Sequence, residues 1–204
     1  RHGSEAQRQH YLPKIATGEL RLQAFAVTEP TTGTDTTQMK TMAVREGDHY
    51  VVNGQKVWNS EAHYADYAIL VARSSTDLPK HKGLTFFIVD MKSPGVSVKP
   101  LCQITGDAEF GEVFFDDVRV PKSNRVGEEN DGWIVAMKTF TRERANISVS
   151  TSVRLQQQCD NLVSAAKGRD LPVDPQFRRQ VAQVLSQVPV PAAPTVQVTP
   201  DGGA

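Results

Sequence analysis

The stretch that decides the fold is Tyr50-Val51-Val52-Asn53-Gly54-Gln55-Lys56-Val57-Trp58. An Asn-Gly dipeptide between two runs rich in valine and aromatic residues favours a type I′ turn, whose twist matches that of an antiparallel hairpin. We therefore predict a hairpin with its turn at Asn53-Gly54, formed by strands at His49–Val52 and Gln55–Trp58. This is the strongest local structural signal in the sequence.

Six further runs of the same texture lie between residues 22 and 120, and turn residues separate them. The remaining predicted strands are Leu22–Thr28, Met39–Arg45, Tyr67–Arg73, Leu84–Met91, Val96–Lys99 and Glu112–Val118. No helical pattern connects these strands, as a doubly wound parallel sheet would require. The eight short strands therefore predict an antiparallel barrel or sandwich flanked by helices, which is an α+β fold.

A short helix is predicted before the strands. Residues 4–12 have helical patterning, with Ser4 as the cap and with Pro13 and Gly18 ending the segment. Because this helix begins almost at Arg1, we expect Arg1 to lie inside a larger domain. Nothing at this end resembles a secretory signal.

Two more helices are predicted after the strands. Asp131 is a suitable N-cap, and apolar residues recur from there at helical spacing to about Lys167. Asp174-Pro175 then opens a last helix that reaches about Gln187. The tail 189–204 has four prolines and two glycines in sixteen residues, so we expect it to be disordered.

Composition excludes several functional classes. The 23 Lys and Arg residues balance 23 Asp and Glu residues, which argues against a nucleic-acid-binding protein. No apolar run reaches about 18 residues, so no transmembrane helix is predicted. The scattered histidines and the two distant cysteines, Cys102 and Cys159, form no metal motif. We interpret the cysteines as free thiols in a reducing compartment, with a disulfide as the alternative.

The first candidate site is the segment Phe25–Asp35, where a predicted strand ends at Thr28 and Pro30 forces a turn. Gly33 permits close approach of another group to the backbone. Free N–H groups and several hydroxyls suit a planar heterocycle with carbonyl acceptors, such as an isoalloxazine ring. The alternative is a threonine-rich loop without a ligand. No glycine-rich nucleotide-binding motif is present.

Two further candidates are weaker. In Trp58-Asn59-Ser60, the indole can cover a flavin face and the hydroxyl can donate a hydrogen bond to its polar edge, or the tryptophan is simply a core residue. Arg142-Glu143-Arg144 is either a ligand-binding group or a solvated charged face of the long helix.

Several of these segments, taken in order, resemble the acyl-CoA dehydrogenase family. The similar motifs are Ala26-Val27-Thr28-Glu29-Pro30 with Gly33-Thr34-Asp35, Val52–Ser60 with Ala65-Asp66, and Val113–Pro121 followed by Asn124, Val126-Gly127-Glu128 and Gly132-Trp133. The resemblance covers roughly residues 3–150. It implies the last helix of an N-terminal helical domain at 1–21, a complete middle β domain at 22–128, and the start of a C-terminal helical bundle at 129–188, before the tail.

The resemblance also implies site residues, and FAD as the cofactor. Flavin contacts are expected from Phe25, Val27, Thr28, Gly33, Thr34, Trp58, Asn59 and Ser60. Val27 and Thr28 would face the pyrimidine end, and Gly33 and Thr34 the pyrophosphate. Thr34 and Arg144 would also contact the acyl-CoA substrate. Thr141 stands where some relatives have Asp.

The reaction implied by the resemblance is α,β-dehydrogenation of an acyl-CoA thioester. Its catalytic base, a Glu of the C-terminal bundle, has no counterpart in this sequence, so we expect the isolated chain to be inactive. An electron-transfer flavoprotein or another acceptor, and a homodimer or homotetramer of the full-length parent, are the expected partners. Cytoplasm or mitochondrial matrix is the expected location. The alternatives are a flavin oxidase or monooxygenase on the same scaffold, and a non-catalytic interaction module.

Overall fold

The computed structural model describes residues 2–168 and 175–187, with the backbone alone at 144–149, 168 and 187. The helices are α1 (Glu5–Ala16), α2 (Gly132–Gly168) and α3 (Pro175–Gln187). The strands are β1 (Ala24–Ala26), β2 (Met42–Glu46), β3 (His49–Ser60), β4 (Tyr67–Arg73), β5 (Leu84–Asp90), β6 (Val96–Leu101) and β7 (Phe110–Pro121). Short 3-10 turns lie at Thr36–Gln38 and Lys122–Asn124.

The seven strands form one sheet, ordered β1-β4-β2-β3-β7-β6, with β5 paired to β4. The predicted α+β fold is confirmed, with one helix before the strands in the sequence and two after them. Most pairings are antiparallel as predicted, but β1 and β2 each pair with β4 in parallel. Since β5 pairs with β4 along its whole length, β1 and β2 share its other edge. The segment 27–41 is therefore an excursion between two strands on one edge of β4.

The predicted hairpin at Asn53-Gly54 is wrong, because β3 runs straight through this dipeptide. The Asn53 amide bonds reciprocally with Asp117 on a bulge of β7, at 2.9 Å in both directions. Gly54, at φ +151°, lets Thr41 pack against the strand. The actual hairpin joins β2 to β3 through Gly47-Asp48, with Gly47 at positive φ. Tertiary pairing of both dipeptide residues thus overrides the local turn preference.

The core lies among β1 to β5 and β7, where β1, β2 and β4 contribute mostly alanine and β3, β5 and β7 contribute larger apolar residues. Tyr50, Phe87 and Leu70 are among its largest fully buried side chains. The Tyr50 and Phe87 rings meet edge to face, with centroids 4.9 Å apart. Burial of one face of β3 in this core fixes the register of the strand, from which the candidate site is built.

Helix α1 begins where predicted, at a capping box formed by Ser4 and Gln7. Pro13 and Gly18 were predicted to end it; the helix passes Pro13 and continues to Ala16. Proline removes one N–H donor, yet the following turn still closes, because the Thr17 N–H donates to the Pro13 carbonyl at 3.0 Å. Gly18, at φ +76°, then turns the chain away.

The chain divides after Thr139 into two compact units, and α2 contributes residues to both. In the second unit, the C-terminal part of α2 and α3 match the two helices predicted there, and Cys159 is buried. Both cysteines are free thiols, as interpreted from the sequence. The predicted disorder of 189–204 lies outside the described residues.

Candidate functional site

The candidate site begins where β1 ends. The sequence predicts a strand to Thr28, but β1 stops at Ala26. The Val27 N–H turns back to the Phe25 carbonyl at 3.2 Å, and the Thr28 carbonyl accepts the Val57 N–H at 2.9 Å. The chain therefore leaves β4 at Val27 and is held by β3 instead.

A tight turn follows directly. Glu29 and Thr32 exchange two backbone hydrogen bonds of 3.1 and 3.2 Å around Pro30, whose fixed φ suits the turn. Beyond the turn lies an open hollow of about 510 Å³, which is lined by Thr31, Thr32, Gly33, Thr34, Asp35, Gln38 and Lys40. Gly33 and Thr34 are exposed, and a Cβ at Gly33 would meet no atom within 4 Å. The structure thus leaves open space at the predicted pyrophosphate-binding residues.

The second half of the site is a β-bulge on β3. Lys56 pairs with Val113 and Asn59 with Gly111, so Val57 and Trp58 together oppose Glu112. The bulge releases the Val57 N–H to bond Thr28 and sets Trp58 at φ +62°, a rare conformation for a bulky residue. The bulge thereby joins the segment that carries Val27 and Thr28 directly to the strand that carries Trp58, and all three residues are predicted from the sequence as flavin contacts.

The bulge also decides which side chains face outward. The Trp58 side chain is 58% exposed, and its ring meets the Phe110 ring edge to face, with 6.1 Å between the centroids. Ser60 is exposed on the same side of the strand. Asn59 is fully buried, and its Nδ2 donates to the Gly111 carbonyl at 3.2 Å. The structure therefore brings Trp58 and Ser60 together and turns Asn59 away from them.

Sequence reasoning missed a buried ion pair beneath these segments. The Lys56 side chain is completely buried, and its Nζ lies 3.0 Å from Glu29 Oε1 and 2.9 Å from the Val27 carbonyl oxygen. A lysine between buried positions of a valine-rich strand was the available signal, because an internal charge requires a partner. A single sequence does not identify that partner.

The surroundings of the pair favour the ionised form of the Glu29 carboxyl group. Burial raises the pKa of Glu29, but the Lys56 ammonium and the N–H groups of Lys40 and Thr41 outweigh it and hold that pKa below its ordinary value. Burial lowers the pKa of Lys56 to about 8, while Glu29 raises it and Arg73 lowers it further. Glu29 is consequently an ionised structural carboxylate and a poor proton acceptor.

The remaining predicted residues are less well placed. Phe25 is half-buried in β1 opposite Ile69. Val27 is 95% buried, and both of its backbone groups are engaged within the chain. Arg144 lies on α2, where only the backbone is described, so its predicted substrate contact lies outside the described side chains. Thr141 on the same helix is exposed.

A second hollow, of about 570 Å³, lies between α1 and residues 122–128. Its central polar side chain, Gln7, is already engaged, since Nε2 donates to the carbonyls of Ser123 and Arg125 at 2.6 and 2.8 Å. Arg125 in turn bonds Glu128. These contacts fix α1 to the segment after β7, which is a structural role.

Within the described part of the chain, no group of three His, Cys, Asp or Glu side chains is arranged to hold a metal ion. In the same residues, no helix has the length and hydropathy needed to cross a bilayer.

Comparison with known proteins gives one consistent family. Residues 24–118 match the profile described as the middle domain of acyl-CoA dehydrogenase. The chain is 38% identical over 193 residues to acyl-CoA dehydrogenase IpdE1 of Mycolicibacterium smegmatis, covering 89% of this chain and 49% of that protein. It is 38% identical over 183 residues to the caffeyl-CoA reductase-Etf complex subunit CarC of Acetobacterium woodii, covering 88% and 46%.

A solved glutaryl-coenzyme A dehydrogenase in complex with glutaryl-CoA is similar in structure, with a TM-score of 0.78 and 31% identity, covering 92% of this chain and 49% of that one. The chain spans about half the length of these relatives. The profile match lies on the strands that build the site, from β1 to β7. The chain belongs to the acyl-CoA dehydrogenase family and carries its middle domain.

Proposed function

We propose that this chain supplies the flavin-binding part of an FAD-dependent acyl-CoA dehydrogenase, which introduces a double bond between the α and β carbons of an acyl-CoA thioester. The observation that carries the proposal is the bulge at Val57 and Trp58, which joins β3 to the loop after β1 through Thr28 and leaves the Trp58 indole exposed. The catalytic base would come from a glutamate beyond the residues of this chain. The proposal includes the division into domains at residues 21 and 128.

The residues present fit a flavin. An exposed indole plane offers a stacking surface for a planar ring. Open space at Gly33 admits a group close to the backbone. Thr32 Oγ1, among the described side chains, is buried without a hydrogen-bond partner, so the loop holds an unused polar atom beside this space.

Each residue then has a distinct task. Thr28, half-buried and tied to Val57, holds the pyrimidine end of the cofactor. Trp58 packs on its ring, and the Ser60 hydroxyl donates a hydrogen bond to the polar edge of the ring. Gly33 and Thr34 receive the pyrophosphate, with Thr34 also facing the acyl chain. FAD, when bound, supplies the two-electron acceptor chemistry. Asn59 acts indirectly, because its buried amide secures β3 to Gly111.

Substrate and partners follow from relatives. One similar structure holds glutaryl-CoA, and one similar protein is named as a subunit of an Etf complex. An acyl-CoA substrate and an electron-transfer flavoprotein as acceptor are therefore part of the proposal. A homodimer or homotetramer of the complete enzyme is also proposed, on the family resemblance of the sequence alone. Arg144 as a contact to the CoA moiety rests on the sequence motif alone. A reducing location, cytoplasm or mitochondrial matrix, agrees with the free thiols.

Fluorescence titration with FAD tests the proposal directly. The chain has two tryptophans, Trp58 and Trp133, so Trp133→Phe leaves one reporter at the site. We expect saturable quenching of Trp58 emission by FAD in this variant. The matched variant Trp58→Phe, which reports from Trp133, should show far weaker quenching. Equal quenching of both variants, or no saturation, would contradict the proposal.

Activity is measured separately. With FAD, an acyl-CoA and an artificial electron acceptor, we expect no turnover from this chain, because the base is supplied elsewhere. Steady acceptor reduction would show that a residue of this chain acts as the base.

A further inference from the structure

Burial of the Lys56–Glu29 ion pair carries a large desolvation free energy for a small domain. Its side chains are 0% and 4% exposed, and removing two charges from water costs several kcal/mol that their attraction only partly returns. Buried pairs of this kind are often replaceable by apolar residues without loss of stability. The contacts of the pair indicate a role other than stability.

Among the described residues, the hydrogen-bonding partners of the Lys56 ammonium all lie on the excursion between β1 and β2. Nζ donates to the Val27 carbonyl at 2.9 Å and to Glu29 Oε1 at 3.0 Å, and it lies 3.7 Å from Met39 Sδ. Val27 and Glu29 are at the start of the excursion and Met39 is near its end. One side chain from β3 thus holds both ends of the loop.

The Glu29 carboxylate completes this closure. Oε2 accepts the Lys40 N–H at 2.6 Å, and Oε1 accepts the Thr41 N–H at 2.9 Å, so residues eleven and twelve positions apart are bonded. We call the segments Val27–Glu29 and Met39–Thr41 the loop neck. Charge-assisted hydrogen bonds of this kind are roughly twice as strong as neutral ones, which suits a closure without secondary structure.

Contacts from the neighbouring strand β4 also hold the end of the loop. Arg73 on β4 donates to the Thr37 and Met39 carbonyls at 2.6 and 3.1 Å, so the end of the loop is gripped from a second strand. The residue after Lys56 is Val57, whose N–H bonds Thr28 across the bulge. Lys56 is therefore adjacent in sequence to the bulge that exposes Trp58 and in contact with the loop that carries Thr28.

We propose that Lys56 and Glu29 are positioning residues, which close the loop neck and set Thr28 against Trp58 before the cofactor binds. Neither residue touches the cofactor in this arrangement. The flavin part of the inference rests on the proposed function, whereas closure of the loop in the free chain does not.

Two variants of the full chain separate positioning from stability. Glu29→Gln keeps the shape but places an amide donor against the Lys40 N–H. The double variant Glu29→Gln/Lys56→Met removes both buried charges, and we expect its melting temperature to stay near wild type. Val120→Ala, a core truncation on β7, is the control that loses stability without touching the loop neck.

Amide hydrogen exchange on the cofactor-free chain is the first readout. In Glu29→Gln and in the double variant, we expect the Lys40 and Thr41 amides to exchange at least about tenfold faster than in wild type, because a charge-assisted hydrogen bond is lost. In folded Val120→Ala we expect these amides to exchange at the wild-type rate. Unchanged exchange in the double variant would overturn the proposal. So would an unfolded double variant, because the pair would then serve stability.

The FAD dissociation constant is the second readout. The proposal expects the double variant to bind about tenfold more weakly at an unchanged melting temperature, and Val120→Ala to bind normally. Weakening of equal size in Val120→Ala would overturn the positioning role. If wild type binds no FAD, the proposed function fails, and the exchange result alone then decides the closure of the loop.

Discussion

The two halves of β3 each carry valine and a large aromatic residue but have different structures. From His49 to Val52 the strand alternates between buried and half-buried residues and pairs regularly with β2 and β7. From Lys56 to Ser60 it holds a buried charge, a bulge and a residue at positive φ. Local rules hold in the half that builds the core and fail in the half that builds the site, as expected where function imposes its own geometry.

The largest expected effect lies in the regular half. Tyr50 is fully buried against Phe87, so Tyr50→Ala should lower the free energy of unfolding by about 3–5 kcal/mol. Urea denaturation measures this loss. Val44→Ala, at a 52%-exposed position on β2, is the control and should change it by no more than about 0.5 kcal/mol. If Tyr50→Ala lowers the free energy of unfolding no more than Val44→Ala does, the regular half of β3 does not build the core.

Gly54 separates the two halves and should have the next largest effect. A Cβ there would lie 2.7 Å from Thr41 Cα, at φ +151°, so Gly54→Ala should cost about 2–3 kcal/mol and loosen the loop neck. Gly106→Ala is matched in having a positive φ, but nothing lies within 4 Å of its Cβ. It should cost about 1 kcal/mol. Equal melting temperatures for the two variants would contradict the close approach of Thr41.

The buried charge should give the irregular half a distinctive pH dependence. Burial lowers the pKa of Lys56 from 10.5 in the unfolded chain to about 8. Between these values the unfolded state binds more protons, so the contribution of Lys56 to stability rises with pH, by about 2 kcal/mol from pH 8 to pH 10.

The comparison of wild type with Lys56→Met isolates this effect, because the other lysines and the tyrosines titrate in both proteins. Urea denaturation at several pH values should show the wild-type curve rising relative to the variant. A constant difference between the two curves would mean that Lys56 titrates normally in the folded protein.

The smallest stability effect is expected at the exposed indole. Trp58→Phe should change the free energy of unfolding by no more than about 0.5 kcal/mol, because the side chain is 58% exposed. Its consequence should appear only in FAD binding. Thermal unfolding without the cofactor measures the first quantity, and a large drop in melting temperature would show that Trp58 is a core residue.

Strand patterning predicted β4 to the residue and β5 to within one residue, because both are regular and unbroken. It failed at Asn53-Gly54, where a long-range bond to Asp117 and the approach of Thr41 outweigh the turn preference. Linked motifs predicted the half-buried Thr28 and the exposed Trp58 and Ser60 as site residues. The Lys56–Glu29 pair was not, because 27 residues separate its members and only folding brings them together.

The central claim is that the irregular half of β3 and the loop after β1 form one preorganised flavin site. Amide chemical-shift mapping by NMR during FAD titration tests it most directly. We predict shifts at Thr28, Gly33, Thr34 and Ser60 and at the Trp58 indole, with the amides of His49–Val52 unmoved. Shifts confined to other surfaces, or spread evenly along both halves of β3, would contradict it.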